Sequence, residues 1–239
     1  MLTYDDMYSV YSHRSFSGYT INTDTTPKQH CDVLCVGTCD IASIRPEGQL
    51  VFSWYDILSS RYNCQPIGLL LPFDVLIQQV DEFIETYGAP KIVCFTVPIP
   101  AFLFQGKKLF GVTINSKRTI RYLQLKKVFD DSEITQLNAL HQRCQLMDTA
   151  SVEVYYVECF ERLFALTEKK NITLLWTFNP TVTLSSFLDK HGLNTFTFAG
   201  HVGNVANIDS GPDSSMGAET QKLLSRKYID AILERSSLC

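Results

Sequence analysis

Apolar residues fall into short continuous runs that alternate with longer segments of helical spacing. Short continuous apolar runs lie at residues 32–36, 64–67 and 91–97. They are typical of strands in a parallel sheet whose two faces are both covered. Residues 73–87 place apolar side chains on one stripe with acids opposite, which predicts an amphipathic helix that ends at Gly88. The same patterns predict further helices over 49–62, 132–148, 151–170 and 216–235, and further strands over 171–178 and 193–198.

Strands that alternate with helices predict an α/β fold. We expect a three-layer α/β/α sandwich of the flavodoxin-like type, built on a mainly parallel sheet of five strands. Residues 31–239 contain no internal repeat and no linker rich in Pro or Gly, so they are expected to form one domain. Residues 1–30 hold five aromatic residues without a sustained period. They form either a partly ordered tail or an extended arm that contacts a neighbouring subunit.

One internal segment breaks the alternation of strands and helices. Residues 100–128 hold seven of the 21 Lys and Arg of the chain, interleaved with apolar residues. Turn signals at Gly106 and at Asn115-Ser116 predict a β-hairpin insertion here. The lysines either protect a solvated sheet edge from pairing or form a contact surface for an acidic partner or a neighbouring subunit.

Composition narrows the classes of partner. The chain has 239 residues and a net charge of −4, so it lacks the overall positive charge of a nucleic-acid-binding protein. No apolar run reaches the roughly 20 residues of a membrane helix, and the first 30 residues do not read as a signal peptide. Eight cysteines without matched CxxC pairs favour buried free thiols over disulfides or a zinc site. We therefore expect a reducing compartment, no metal and no cofactor.

Two loops carry the candidate chemistry. The first predicted strand delivers Gly37-Thr38-Cys39-Asp40 to the carboxyl edge of the sheet, where ligands bind in such folds. The last loop delivers Asp213-Ser214-Ser215-Met216-Gly217 just before the final helix. With Trp54 on the first helix and Gly68 after the second strand, this order resembles the SGNH (GDSL) hydrolases over about residues 31–235. The group it resembles most is the divergent one encoded by tailed phages of aquatic bacteria.

The resemblance implies a set of site residues. Cys39 stands where the family has its nucleophilic serine, and Asp213 stands where it has the acid of its Asp-x-x-His motif. Gly68 and Cys39 are the positions that would supply oxyanion donors. Among the five histidines, His201 is the best candidate for a replacement base, because it follows the last predicted strand on the loop that leads to Asp213. Cys39, His201 and Asp213 would then form the trio of a thiol esterase.

Two departures from the family argue against catalysis. Met216 occupies the position of the catalytic histidine and cannot transfer a proton. The segment that ends at Pro98 lacks the asparagine that donates to the oxyanion, a loss that costs about 10²–10³ in rate. Without a base, a nucleophile is not activated, although cysteine retains a few per cent thiolate at neutral pH.

Three functions are therefore open. The first is a non-catalytic SGNH-like structural or interaction protein. The resemblance to phage proteins implies a virion component of the tail, baseplate or capsid surface, found in the virion or the host cytoplasm. It would bind other virion or assembly subunits through the arm and the basic hairpin. The second is an esterase acting on acyl or acetyl esters with Cys39 as nucleophile, and the third is a glycan-binding module that retains the old cleft. Nucleic acid and membranes are not expected as partners.

Overall fold

The computed structural model shows an α/β fold built around a parallel sheet. It describes residues 27–37, 39–41, 51–68, 73–98, 103–104, 107–108, 131–132, 135, 149–180, 189, 192, 198–209 and 217–236. Four parallel strands form the sheet in the order β2-β1-β3-β6. Their bounds are β1 Val33–Val36, β2 Cys64–Ile67, β3 Ile92–Val97 and β6 Thr173–Phe178. These bounds agree with the predicted strands to within one or two residues.

The strands are buried because helices cover both faces of the sheet. The helices described are α1 Trp54–Ser59, α2 Phe73–Tyr87, α3 Thr149–Lys169 and α4 Ala218–Ser236. One apolar cluster joins the sheet to α2 and α3, with Phe160 in ring contact with Trp176. A second cluster joins the opposite face to α1 and α4, where the rings of Trp54 and Tyr228 lie 5.0 Å apart. Helices on both faces are compatible with a three-layer sandwich.

The order of the strands defines a crevice. The chain passes from β1 to β2 on one side, and β3 then lies on the other side of β1. This reversal is a topological switch point, where the carboxyl ends of neighbouring strands lead away to opposite faces. A short 3₁₀ helix, Cys39–Ile41, follows β1 at this point. The residues that β1 and β3 deliver here therefore occupy the usual ligand position of such sheets.

Helix α1 is shorter than predicted. The apolar spacing predicted a helix over 49–62, but the helix begins at Trp54, and residues 51–53 are not helical. Ser53 caps it: its hydroxyl accepts from the amide of Asp56 at 3.1 Å, and the Asp56 carboxylate accepts from the amide of Ser53 at 2.8 Å. This reciprocal capping box sets the start of the helix, which apolar spacing alone does not reveal.

Three predicted features fall largely outside the described residues. Of the arm, only residues 27–30 are described, and the carbonyl of Pro27 accepts from the Tyr87 hydroxyl of α2. Within the predicted hairpin, β4 Leu103–Phe104 and β5 Lys107–Lys108 pair antiparallel over two residues. The predicted fifth strand, 193–198, is described only at Phe198, which is not in a strand. A single parallel bridge instead joins His201 to Trp176 of β6.

The cysteines that the structure describes with their side chains are buried free thiols. They are Cys31, Cys35, Cys64, Cys94 and Cys159. Burial raises the pKa of Cys31 from 9.0 to about 12 and raises the pKa values of Cys35 and Cys94 well above that ordinary value. The preference for buried thiols over a disulfide framework is confirmed for these five positions.

Candidate functional site

A buried carboxylate lies at the switch point of the sheet. Asp40, in the 3₁₀ helix after β1, is only 3% exposed. Its Oδ2 accepts from the indole Nε1 of Trp54 at 2.7 Å and from the hydroxyl of Thr96 at 2.6 Å. Its Oδ1 accepts from the side-chain amide of Asn179 at 2.7 Å. Three donors thus converge on one carboxylate, which offsets the cost of removing it from water.

The donors come from elements far apart in the chain. Thr96 belongs to β3, Asn179 follows β6 and Trp54 opens α1. A second bridge comes from Gln221 of α4, whose side-chain amide donates to the Asp40 carbonyl at 3.2 Å and whose Oε1 accepts from the Trp54 amide at 2.8 Å. We call these five residues the Asp40 network. It ties three strand ends to the two helices on one face of the sheet.

The floor of the crevice is closely packed. A Cβ atom added to Gly37, the residue that follows β1, would lie 2.7 Å from the Thr96 hydroxyl and 3.0 Å from Oδ2 of Asp40. The Gly37 amide donates to the Ile67 carbonyl of β2 at 2.9 Å. The missing side chain of Gly37 therefore makes room for the Asp40 network, and the protein's own side chains fill that room.

Gly68 lies close to the turn that holds Cys39. A Cβ atom on Gly68 would collide with the Ile41 side chain and would lie 3.1 Å from the Gly37 carbonyl oxygen. The structure thus brings together the two segments predicted to carry oxyanion donors. The side chain of Cys39 lies outside the described residues, as do Asp213 and Met216.

The end of β3 offers no substitute for the missing asparagine. Pro98 is buried, and its carbonyl accepts from the Tyr156 hydroxyl of α3 at 2.9 Å. Burial raises the pKa of Tyr156 well above its ordinary value of 10.0, so the hydroxyl keeps its proton and remains a donor at neutral pH. Pro98 itself has no amide hydrogen to give. This strand end is therefore committed to packing against α3.

His201 lies at the far side of the sheet from β1. Its imidazole stacks on the Trp176 ring with centroids 4.4 Å apart, and its Nε2 lies 3.0 Å from the Asn204 Oδ1. Pairing between neighbouring strands places four residues in one row across the sheet. The row runs from Val36 of β1 through Phe95 and Trp176 to His201. Three strand spacings separate His201 from β1, about 14 Å at the usual spacing.

The half-buried His201 is also a weakened base. Burial lowers its pKa below the ordinary 6.5, the hydrogen bond with Asn204 opposes that shift, and the nearby charge of Lys227 adds to it. A role with Cys39 and Asp213 stays a prediction, since neither of those side chains is described.

Another acid organises the loop before α4. The Asp209 carboxylate accepts from the amide of Glu219 at 2.7 Å and from the amide and hydroxyl of Thr220 at 2.7 and 2.6 Å. Burial alone would raise the pKa of Asp209, but these hydrogen bonds outweigh it and lower the pKa below 3.8. Asp209 is thus the acid that the described part of this loop places at the start of α4; Asp213, the acid that the resemblance implies, lies outside the described residues.

A cavity of about 530 Å³ lies beside α4, away from the Asp40 network. Leu175 of β6, the segment 200–202 and the half of α4 from Leu223 to Arg235 line it. Its charged side chains are of both signs, and no Trp, Tyr or Phe side chain lines it in the part of the chain that is described. Sugar rings stack on such aromatic faces, so this cavity does not resemble a glycan cleft.

The described residues contain neither a metal site nor a helix that could span a membrane. No group of three or more His, Cys, Asp or Glu side chains is arranged to hold a metal ion within the described ranges. In those ranges no helix combines the length and apolar character needed to cross a bilayer.

Comparison with known proteins adds no support for the resemblance to the SGNH hydrolases. No protein-family model matches the chain, and neither do any curated protein or solved structure. Support for a function therefore comes from the geometry of the site.

Most of the Asp40 network is not evident from the sequence. There, Asp40 only ends a loop motif, and Trp54 only adds to the resemblance. The signal lay in Thr96 and Asn179, polar residues at the carboxyl ends of two apolar strands, which parallel pairing brings to one edge. Gln221, on a helix more than 180 residues after Asp40, carried no comparable signal.

Proposed function

We propose that this chain is a non-catalytic SGNH-like structural or interaction protein and acts as a subunit of a virion. The observation that carries this proposal is the Asp40 network. Thr96 of β3, Asn179 after β6 and Trp54 of α1 all donate to the buried Asp40 carboxylate that follows β1. An oxyanion site instead needs donors aimed at the position where the reacting oxygen will be.

The surroundings of the network support the same conclusion. The only histidine that the sequence favours as a base has a lowered pKa and stacks on Trp176, about three strand spacings from β1. The Pro98 carbonyl at the end of β3 is occupied by Tyr156. A crevice whose groups bond to one another stabilises the fold and presents little chemistry to a substrate.

The particle setting and the finer fold belong to the same proposal. The resemblance to proteins of tailed phages suggests a place in the tail, baseplate or capsid surface, and hence in the virion or the host cytoplasm. The arm of residues 1–30 and the basic insertion of residues 100–128 would bind neighbouring subunits. The bridge at His201 continues the sheet beyond β6, which favours a fifth parallel strand of the SGNH type.

Ester hydrolysis is the test that separates this proposal from the esterase alternative. Purified wild-type chain is assayed with p-nitrophenyl acetate beside Cys39→Ala and His201→Ala, with His30→Ala as the control for removing an exposed imidazole. We expect the same low background rate from all four, because the proposal gives Cys39 no activating base. Turnover that both Cys39→Ala and His201→Ala lose, while a folded His30→Ala retains it, would establish the esterase and overturn the proposal.

A further inference from the structure

The two helices on one face of the sheet carry a large excess of negative charge. Helices α2 and α3 together hold eight acids against two bases, a net charge of −6. Seven of the acids are exposed and one, Asp74, is half-buried. We call the outward side of these helices the acidic face; its exposed acids are Asp81, Glu82, Glu85, Glu153, Glu158, Glu161 and Glu168.

The opposite face is balanced. Helices α1 and α4 hold four acids and four bases, and their charges sum to zero. The acidic face is therefore a local feature and does not simply follow from a chain with a net charge of −4.

A complementary charge lies in the same sequence. Residues 100–128 contain seven Lys and Arg and no Asp or Glu. The net charge of the remainder of the chain is therefore −11, compared with −4 for the whole chain. Phe, Leu, Val and Ile residues separate those bases. The acidic face has a matching apolar contact in Val154, which is 55% exposed beside Glu153. Opposite charges with apolar residues between them are the pattern of complementary protein surfaces.

We propose that the acidic face binds residues 100–128 of a second copy of this chain. The inference rests on the proposed function as a subunit, and it names the partner surface that the basic segment would use. The contact is heterologous, since one patch meets a different patch, and it can therefore extend into a ring or a row of subunits.

The acids extend across the whole depth of the sheet, so the experiment has to distinguish a second copy from the same chain. The basic segment leaves the sheet after Pro98 and the chain returns at the start of α3, both at the carboxyl edge of the strands. The acids continue along both helices to Glu85 and Glu168, at the opposite edge, where Glu85 pairs with Lys170. A helix the length of α2 spans about 22 Å, so this row of acids reaches from one edge of the sheet to the other.

Charge reversal in two separate variants tests the contact. The acidic-face variant combines Asp81→Lys, Glu158→Lys and Glu161→Lys, and the segment variant combines Lys117→Glu, Arg118→Glu and Lys126→Glu. The matched control reverses Asp230→Lys and Glu234→Lys on α4. Circular dichroism confirms folding, and sedimentation velocity follows association at about 0.05 M and about 1 M salt, because screening weakens such contacts.

We expect wild type and the α4 control to associate at low salt and to dissociate at high salt. Each reversal variant alone should associate at least about tenfold more weakly, and an equimolar mixture of the two should associate again, because the reversed charges match between copies. That rescue in the mixture is the decisive result.

Three outcomes would overturn the inference. One is a wild-type chain that stays monomeric at low salt, and another is a pair of variants that each associate like wild type. The third combines two results: the mixture of the two variants stays monomeric, and a single chain that carries both sets of reversals regains the thermal stability that each variant lost. That combination would show that the segment binds the helices of its own chain. All three leave the proposed function standing if the chain has no ester turnover, whereas turnover that depends on Cys39 and His201 overturns the proposed function by itself.

Discussion

At the scale of single residues, the Asp40 carboxylate is the most constrained group described. A carboxylate with 3% exposure is unfavourable unless its oxygens accept hydrogen bonds. Trp54, Thr96 and Asn179 meet that requirement with bonds of 2.6–2.7 Å. The same three donors depend on Asp40, because each would lose a short bond if the carboxylate were removed; the Thr96 hydroxyl would keep its longer bond to the Val36 carbonyl, 3.3 Å.

Replacement of Asp40 by Ala is therefore expected to lower the free energy of unfolding by about 3–5 kcal/mol, since three buried donors lose a charged acceptor. Asp40→Asn keeps the shape and one acceptor oxygen and should fall between wild type and Asp40→Ala. Urea unfolding followed by circular dichroism measures both. Asp81→Ala removes an exposed carboxylate and serves as the control, with an expected change within about 0.5 kcal/mol. Equal stability of Asp40→Ala and that control would show that the network does not hold the fold together.

At the scale of elements, α4 is stabilised from outside its own sequence. Its first amides donate to Asp209, which precedes the helix by nine residues. A carboxylate at this end of a helix satisfies orphan amides and interacts favourably with the helix dipole. The loop and the helix are therefore expected to be stabilised together.

This arrangement predicts a dependence of stability on pH. The folded pKa of Asp209 lies below its ordinary value of 3.8, so the stabilisation is present above that value and is lost as the pH falls through the lowered pKa. Asp209→Asn should cost about 1 kcal/mol near pH 7, the usual value of a helix cap, and the difference from wild type should shrink in acid. Urea unfolding at a series of pH values measures it. Asp230→Asn, on the exposed side of the same helix, is the control; a deficit of Asp209→Asn that persists unchanged in acid would contradict the assignment.

At the scale of the whole molecule, the sheet and its two helical layers enclose thiols. Cys35 and Cys94 pair directly across β1 and β3, both completely buried. Because only the thiolate attacks an alkylating reagent, burial and a raised pKa both protect them.

Iodoacetamide at about pH 8 should therefore label Cys35 and Cys94 only as fast as the folded chain opens, and at least about a hundredfold more slowly than in urea. Mass spectrometry of digested protein reports each position, and the urea-unfolded chain provides the reference rate. Labelling of either cysteine in native protein at the urea rate would show that the sheet does not enclose them.

The sequence by itself determined the strands and most helices, because burial on both faces of a parallel sheet needs the unbroken apolar runs of β1, β3 and β6. It located the carboxyl-edge crevice for the same reason, since alternating strands and helices leave few topologies. The apolar spacing did not locate the start of α1. The helix begins later than that spacing indicated, because the single polar side chain of Ser53 caps it.

Only the tertiary structure decided how the crevice is used. Hydrogen bonds extend about 3 Å and their partners here lie up to 181 residues apart, so no local pattern reveals that Trp54, Thr96 and Asn179 meet at Asp40. Strand pairing likewise set His201 against Trp176, on the edge of the sheet away from β1. Local periodicity records which face of an element is buried, whereas the chemistry of a site depends on which distant side chains share that face.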